Sequence, residues 1–169
     1  MTALAPDFAE PLEAWRVWRV VGCHGELSLA SVMRRTVWPA GEPLRAECLV
    51  PRAFGWLRRR PQHDAPEEAC DCGIYAADLE EASRYLYDSL PDALARVVGQ
   101  VSLWGVVVEC ERGLRASRAY PGSLYVSRGT SRDPDAVDDL AAGLERYGVP
   151  VEVLTDDRPT LARLLEALS

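Results

Sequence analysis

The chain reads as an α+β fold: a mostly antiparallel, curved sheet around one long central hairpin, closed by a C-terminal βα unit. Three observations point to it. Trp15–Val21 and Val97–Cys110 are rich in β-branched and aromatic residues, as half-buried strands are. The second of these runs into the turn Glu111-Arg112-Gly113 and a partner run, Leu114–Tyr120, which is the pattern of a hairpin. Near the end, a helical pattern stands between two short apolar runs, the order of a parallel crossover.

The elements follow in chain order. Trp15–Val21 is a strand, and Gly22–Gly25 a turn. Leu27–Ser31 and Met33–Trp38 are expected as further short strands, with Pro39–Pro43 a loop by its breakers and Leu44–Val50 another strand. From Pro51 to Asp71 periodicity dissolves into Arg, Pro and Gly. A loop that long in a compact domain is either functional or held by something other than packing. Leu79–Leu90 places Leu79, Ala82, Tyr85, Leu86 and Leu90 on one helical face, with Asp78 as N-cap and Pro91 as boundary. After the hairpin, Leu124–Val126 extends the sheet. Asp135–Tyr147 is an amphipathic helix with an acidic first turn, ended by Gly148 and Pro150. Val151–Leu154 is a strand and Pro159–Leu168 a last helix. No repeat or strong linker divides the 169 residues, so one domain is expected, a β-rich part at 15–76 and a helix, hairpin and βα part at 77–169.

Composition bounds the class. Hydrophobic residues make up 48% and charged residues 27%, the balance of a soluble globular domain. No apolar run approaches the length of a membrane span, which argues against a membrane partner. Met1–Leu12 is acidic and lacks the basic and apolar regions of a signal peptide, so the expected location is cytoplasmic. All basic residues are Arg, with no Lys, as a GC-rich genome would produce. Up to Pro61 the balance is about +3 and from Gln62 onward about −10, within a total of −7. An acidic whole argues against broad nucleic-acid binding but leaves a local basic surface open.

Metal-capable side chains crowd into one segment. Cys70-Asp71-Cys72-Gly73 can aim two thiolates at one ion, its glycine allowing backbone that other residues avoid. Cys48 and His63 would complete a Cys₃His set, a closed tetrahedral zinc site that builds structure rather than performing chemistry. Cys23 or His24 could replace His63 as fourth ligand. The competing account is four separate structural residues, since free cysteine is among the most buried types. Zinc-deaminase chemistry is excluded: it needs His-x-Glu together with Pro-Cys-x-x-Cys, which His63-Asp64-Ala65 and Cys70-Asp71-Cys72 do not supply, and His-Glu-x-x-His is absent. Glu67-Glu68 reads as solvated charge. Cys23-His24 makes a poor nucleophile–base pair, because adjacent residues seldom face each other. Cys110 reads as core.

A second constellation is Arg34-Arg35 with Arg52, Phe54, Trp56, Arg58, Arg59 and Arg60. Guanidinium groups pair with phosphates and exposed aromatics stack on bases, so a nucleic-acid partner is one reading. Solvated arginines over inward-folded rings are the other. Glycine-rich nucleotide loops are absent.

These residues resemble a pattern found in a loose group of uncharacterised bacterial proteins, mainly actinobacterial, that have no established activity. The pattern is Trp15-Arg-Val-Trp18, Trp38-Pro-x-Gly41, Ala46-x-Cys48, His63-x-Ala-Pro66 and Cys70-x-Cys72-Gly73-Ile-Tyr75-Ala76. It continues as Gly99-x-Val-x-Leu-Trp104-Gly105, Glu109-x-Glu111-x-Gly113-x-Arg115-Ala116 and Ala119-Tyr120-Pro121, covering about residues 15 to 126. The resemblance implies that His63 and the three cysteines form one unit. It also places Glu109, Arg115 and Tyr120 together, where they would line a small ligand pocket or catalytic site on the hairpin or, more simply, form a strand-face salt bridge. The expectation is therefore a non-enzymatic cytoplasmic protein with one structural zinc that binds a protein partner. A nucleic-acid binder using residues 52–60, or a ligand binder or enzyme at 97–120, are the alternatives.

Overall fold

A computed structural model describes residues 10–48, 63–88 and 91–154. Among these, eight strands form one mostly antiparallel, curved sheet, so the α+β expectation holds. The strands are β1 (Leu12–Cys23), β2 (Glu26–Ser31), β3 (Leu44–Arg45), β4 (Ile74–Ala76), β5 (Ala95–Cys110), β6 (Gly113–Pro121), β7 (Leu124–Ser127) and β8 (Val151–Leu154). The main path runs β2-β1-β5-β6-β3, with β4 also on β6 and β7 joining β5 to β8.

The hairpin β5–β6 is the spine. Val101 and Leu103 are fully buried and Val107 nearly so, while Glu111 and Arg112 are exposed at the turn. Alternation produced this: one-residue spacing sends successive side chains to opposite faces. The ladder slips between Trp104 and Val107, a bulge that increases local twist and bends the strand. Gly105 sits there at φ +75°, and the Val106 amide donates to Ser117 Oγ at 2.9 Å instead of continuing the ladder. Cys110 is half-buried rather than core; as the last residue before the turn, it donates its thiol hydrogen to the Gly113 carbonyl at 3.2 Å.

Trp18 and Trp38 meet edge to face at 5.4 Å in the main core, beside Val20, Leu29, Val97 and Leu103. Tyr147 pins the C-terminal unit to this core: its hydroxyl donates to the Trp38 carbonyl and accepts from the Leu29 amide, both at 2.8 Å. The expected crossover is present, with β7 and β8 paired in parallel around helix α2 (Val137–Leu144). Short 3-10 turns at Pro134–Ala136 and Glu145–Tyr147 extend α2 toward the expected limits, and Gly148 ends it at φ +69°.

Three expectations are corrected. Met33–Trp38 is a turn rather than a strand: Met33 to Arg35 are exposed, and the chain touches β2 only around the Ala30–Val37 bridge. Arg35 would share a strand face with Met33 and Val37, and Trp38 would lie on the other, so the segment offers no continuous apolar face. Of the strand expected over Leu44–Val50, residues 44–48 are described, and among these Leu44–Arg45 is strand, extended by one bond from the Ala46 amide to the Ser117 carbonyl at 2.8 Å. Helix α1 covers Leu79–Ser83 and not Leu79–Leu90. Asp78 caps it as expected, accepting from the Glu81 amide at 2.8 Å. After Ser83, backbone bonds tighten to i−3 spacing, and the Arg96 guanidinium takes the Tyr85 carbonyl at 2.6 Å, one that a continuing helix would use. Leu79, Ala82 and Leu86 are nevertheless buried. Among the described residues, no helix is long and apolar enough to cross a membrane. The expected helix Pro159–Leu168 lies outside the described residues.

Candidate metal centre

Strand β6 is the platform on which the site is assembled. Strand β4 pairs with its first part, Ile74 opposite Ala116 and Tyr75 opposite Arg115, and β3 pairs further along, Leu44 opposite Ala119. Cys48 follows β3 by three residues and Cys72 precedes β4 by two, so neighbouring pairings on one strand bring distant cysteines to one place.

There Cys48, His63, Cys70 and Cys72 converge, with all four ligand atoms within 4.8 Å of one another. Cys48 Sγ lies 3.7 Å from Cys70 Sγ, and His63 Nε2 lies 3.3 Å from Cys72 Sγ. Cys70 and Cys72 are buried, Cys48 and His63 half-buried, and Ala46 and Ala65 pack against the sulfurs. All five cysteines are free thiols. The four residues lie close enough to hold a metal ion. Neither Cys23 nor His24 joins them: they sit at the β1–β2 turn, where Cys23 pairs with Glu26 and His24 takes φ 51°.

The loop is held from beneath by Arg115. This buried guanidinium donates through one nitrogen to the carbonyls of Glu67, at 3.2 Å, Cys72, at 3.0 Å, and Cys70. It also lies 5.8 Å from the ring of Tyr75, its cross-strand neighbour. Three carbonyls fixed by one planar group set the path of the Cys-x-Cys turn. Gly73, at φ +118°, is required by that path. A Cβ there would stand 2.9 Å from Pro66 Cβ and 3.1 Å from Arg115 Cβ. On the far side of the imidazole, Glu67 Oε2 lies 3.7 Å from His63 Nδ1, so Nε2 is the nitrogen left to face the sulfurs.

The two buried thiols differ electrostatically. Burial alone would raise Cys70, but hydrogen bonds from the Cys72 amide and from Cys48, Cys72 and His63 outweigh it and hold the thiol below its ordinary range. Burial pushes Cys72 up to about 11, with the neighbouring Cys70 and Cys48 adding to the rise.

The hairpin residues do not form a pocket of their own. Glu109 stands across from Leu114 and Arg115 across from Val108, so Glu109 and Arg115 project to opposite faces. Tyr120 donates to the Tyr147 carbonyl at 2.7 Å and accepts from the Gly41 amide at 2.8 Å, a structural tie. Arg52, Trp56, Arg58, Arg59 and Arg60 lie outside the described residues. Two groups beside the candidate metal site carry no sequence signal for that place: Arg115, expected in a hairpin pocket or a strand-face salt bridge, and Glu67, expected as solvated charge. Arg16 is not among the expected site residues, although strand alternation puts Arg16 on the face of the fully buried Trp18 and Val20.

Comparison with family models, curated proteins and solved structures found no match to this chain.

Proposed function

We propose that the protein is a non-enzymatic binding protein whose fold is completed by one structural zinc held by Cys48, His63, Cys70 and Cys72. The observation that carries this is the ligand geometry. A tetrahedron with Zn–S bonds of about 2.3 Å and Zn–N bonds of about 2.0–2.1 Å has S···S edges of about 3.8 Å and S···N edges of about 3.5 Å. The Cys48–Cys70 and His63–Cys72 separations of 3.7 and 3.3 Å fit those edges. Thiolate and imidazole donors suit zinc, and four protein ligands leave no open position for a reacting water. Three thiolates around a dication leave one net negative charge, which the Arg115 guanidinium beneath the loop balances. A carboxylate behind the imidazole, as Glu67 stands behind His63, is the usual outer support of a histidine ligand.

In this reading the metal clamps the chain at Cys48 and again at His63–Cys72, fixing both ends of the segment between them to β6. The work of the protein is then to hold a partner, for which Met33 and Tyr75 offer exposed apolar side chains. Reduced thiolates of this kind persist in a reducing compartment, which supports a cytoplasmic location. The test is elemental analysis of purified protein with cobalt substitution. One zinc per chain, and the visible bands of tetrahedral thiolate-bound cobalt lost in Cys72→Ser, are expected. Protein purified without chelator that holds no zinc and gives no such cobalt spectrum would end the reading.

A further inference from the structure

Beside the metal loop, β1, β3, β4, α1 and the turn after β2 enclose a cavity of about 610 Å³. That is within the range of small-molecule sites, roughly 300–1,000 Å³. Its described lining is mainly apolar, including Trp15, Val32, Ile74 and Tyr85, with exposed Met33 and Tyr75 among its walls.

One charged group, Arg16, is half-buried in this wall. Arg16 donates to Ser31 Oγ at 3.2 Å and to the Tyr75 carbonyl, and its guanidinium lies 5.2 Å from the Trp38 ring. Its Nε is shut off from solvent and has no hydrogen-bond partner. The ion pairs among the described residues leave Arg16 without a carboxylate. Burial, with no acid to offset it, brings this arginine down to about 10. A buried cation normally has a counter-ion, because desolvating it unpaired is costly. Here the space beside it is a cavity rather than an acid.

The charges farther out agree. Arg34 and Arg45 line the same cavity, are exposed and form no ion pair among the described residues, while Arg112 and Arg84 both engage Glu81. Glu47 is the remaining carboxylate on the wall. In a chain of net charge −7, this is a local cationic excess.

We propose that the cavity is a binding site for a small amphipathic carboxylic acid, its carboxylate on Arg16 and its apolar body among Leu44, Ala46, Ile74 and Ala76, the lining residues that pack on the same core as Trp18 and Val20. A guanidinium pairs with carboxylate by charge-assisted hydrogen bonds. Arg16 is the one half-buried guanidinium of the lining and matches a monoanion; Arg34, Arg45 and Arg112 are exposed, where water and salt screen them. The inference goes beyond the partner-holding role proposed above and needs neither that role nor the metal.

The experiment is calorimetric titration of the zinc-loaded protein with octanoate, octyl phosphate and octyltrimethylammonium, with zinc content measured on every preparation. Octanoate is expected to bind at one site per chain, at least tenfold tighter than the cationic twin and tighter than the phosphate. Arg16→Met, which keeps the apolar stem, is expected to weaken octanoate at least tenfold with zinc retained. Equal affinity for acid and cation, preference for the phosphate, or an unchanged octanoate affinity in Arg16→Met overturns the proposal. So does the absence of octanoate binding at millimolar concentration. If Arg16→Met fails to fold, the exposed pair Arg34→Glu/Arg45→Glu decides: at least a threefold loss of octanoate affinity supports the site, and no loss overturns it. Octanoate binding by protein that neither holds zinc nor gives the cobalt spectrum would leave this proposal standing and refute the metal reading alone.

Discussion

Replacing Cys72 by Ser removes one of four ligands while leaving the loop the same length and nearly the same shape. The consequence can be sized from the topology. A metal joining Cys48 to Cys70 closes a loop spanning 22 residues. Treated like a covalent cross-link, such a closure removes unfolded-chain entropy worth about 3 kcal/mol. For a chain of 169 residues, that is a fall in Tm of about 6–12 °C. Zinc binding by cysteines of the unfolded chain would lower the figure. The assay is differential scanning calorimetry of wild type and Cys72→Ser, each with and without a strong chelator. Wild type should lose this Tm increment on chelation. The variant should start near the chelated value and lose little more, because both perturbations remove the same cross-link. Cys23→Ser, at the β1–β2 turn, should behave as wild type. A wild-type protein whose Tm is indifferent to chelator, or a Cys72→Ser variant that keeps stoichiometric zinc, would show that the quartet is not a metal cross-link.

Three more predictions follow from the same geometry. Arg115→Met should cost about 2–4 kcal/mol, since it strands the buried carbonyls of Cys70 and Cys72 and the part-buried one of Glu67; denaturant melts would detect it, and a melt within about 0.5 kcal/mol of wild type would contradict the anchoring role. Gly73→Ala should destabilise by at least about 1 kcal/mol, from positive φ and the approach to Pro66 and Arg115, and should weaken zinc in a chelator competition; unchanged zinc affinity would count against the turn's role. With burial raising the Cys72 thiol to about 11, that group carries its proton at neutral pH until a metal displaces it. Zinc loading should therefore release protons, and affinity should increase from pH 6 to pH 8 in competition titrations; a flat profile would exclude thiolate ligation.

Much of the fold could be read locally. The hairpin, the N-terminal strand, the βα unit and the Asp78 cap depend on alternation, turn residues and capping groups only a few positions apart, and these operate on neighbouring residues. The elements that came out shorter than their patterns fail for the same reason in reverse. Helix α1 stops where Arg96, from another strand, takes the Tyr85 carbonyl, and no local signal in Leu79–Leu90 announces it. Met33–Trp38 has strand-forming residue types, but Ser31 bonds Thr36 and Trp38 bonds Leu29, leaving a turn between them.

The ligand set shows the division most clearly. Residue chemistry alone brought forward Cys48, His63, Cys70 and Cys72, with Cys23 or His24 as substitutes for His63, because thiolates and imidazole crowd into one irregular polar segment. Only the tertiary structure decided that the first four meet, through β3 and β4 pairing side by side on β6. The same pairing makes Arg115, expected at a pocket or in a strand-face salt bridge, the anchor of the cysteine loop, and leaves Arg16 half-buried beside a cavity with no carboxylate partner among the described residues. Which side chains share a site depends on strand order and register, and these are settled by long-range hydrogen bonding and burial that the residues' own neighbours do not encode.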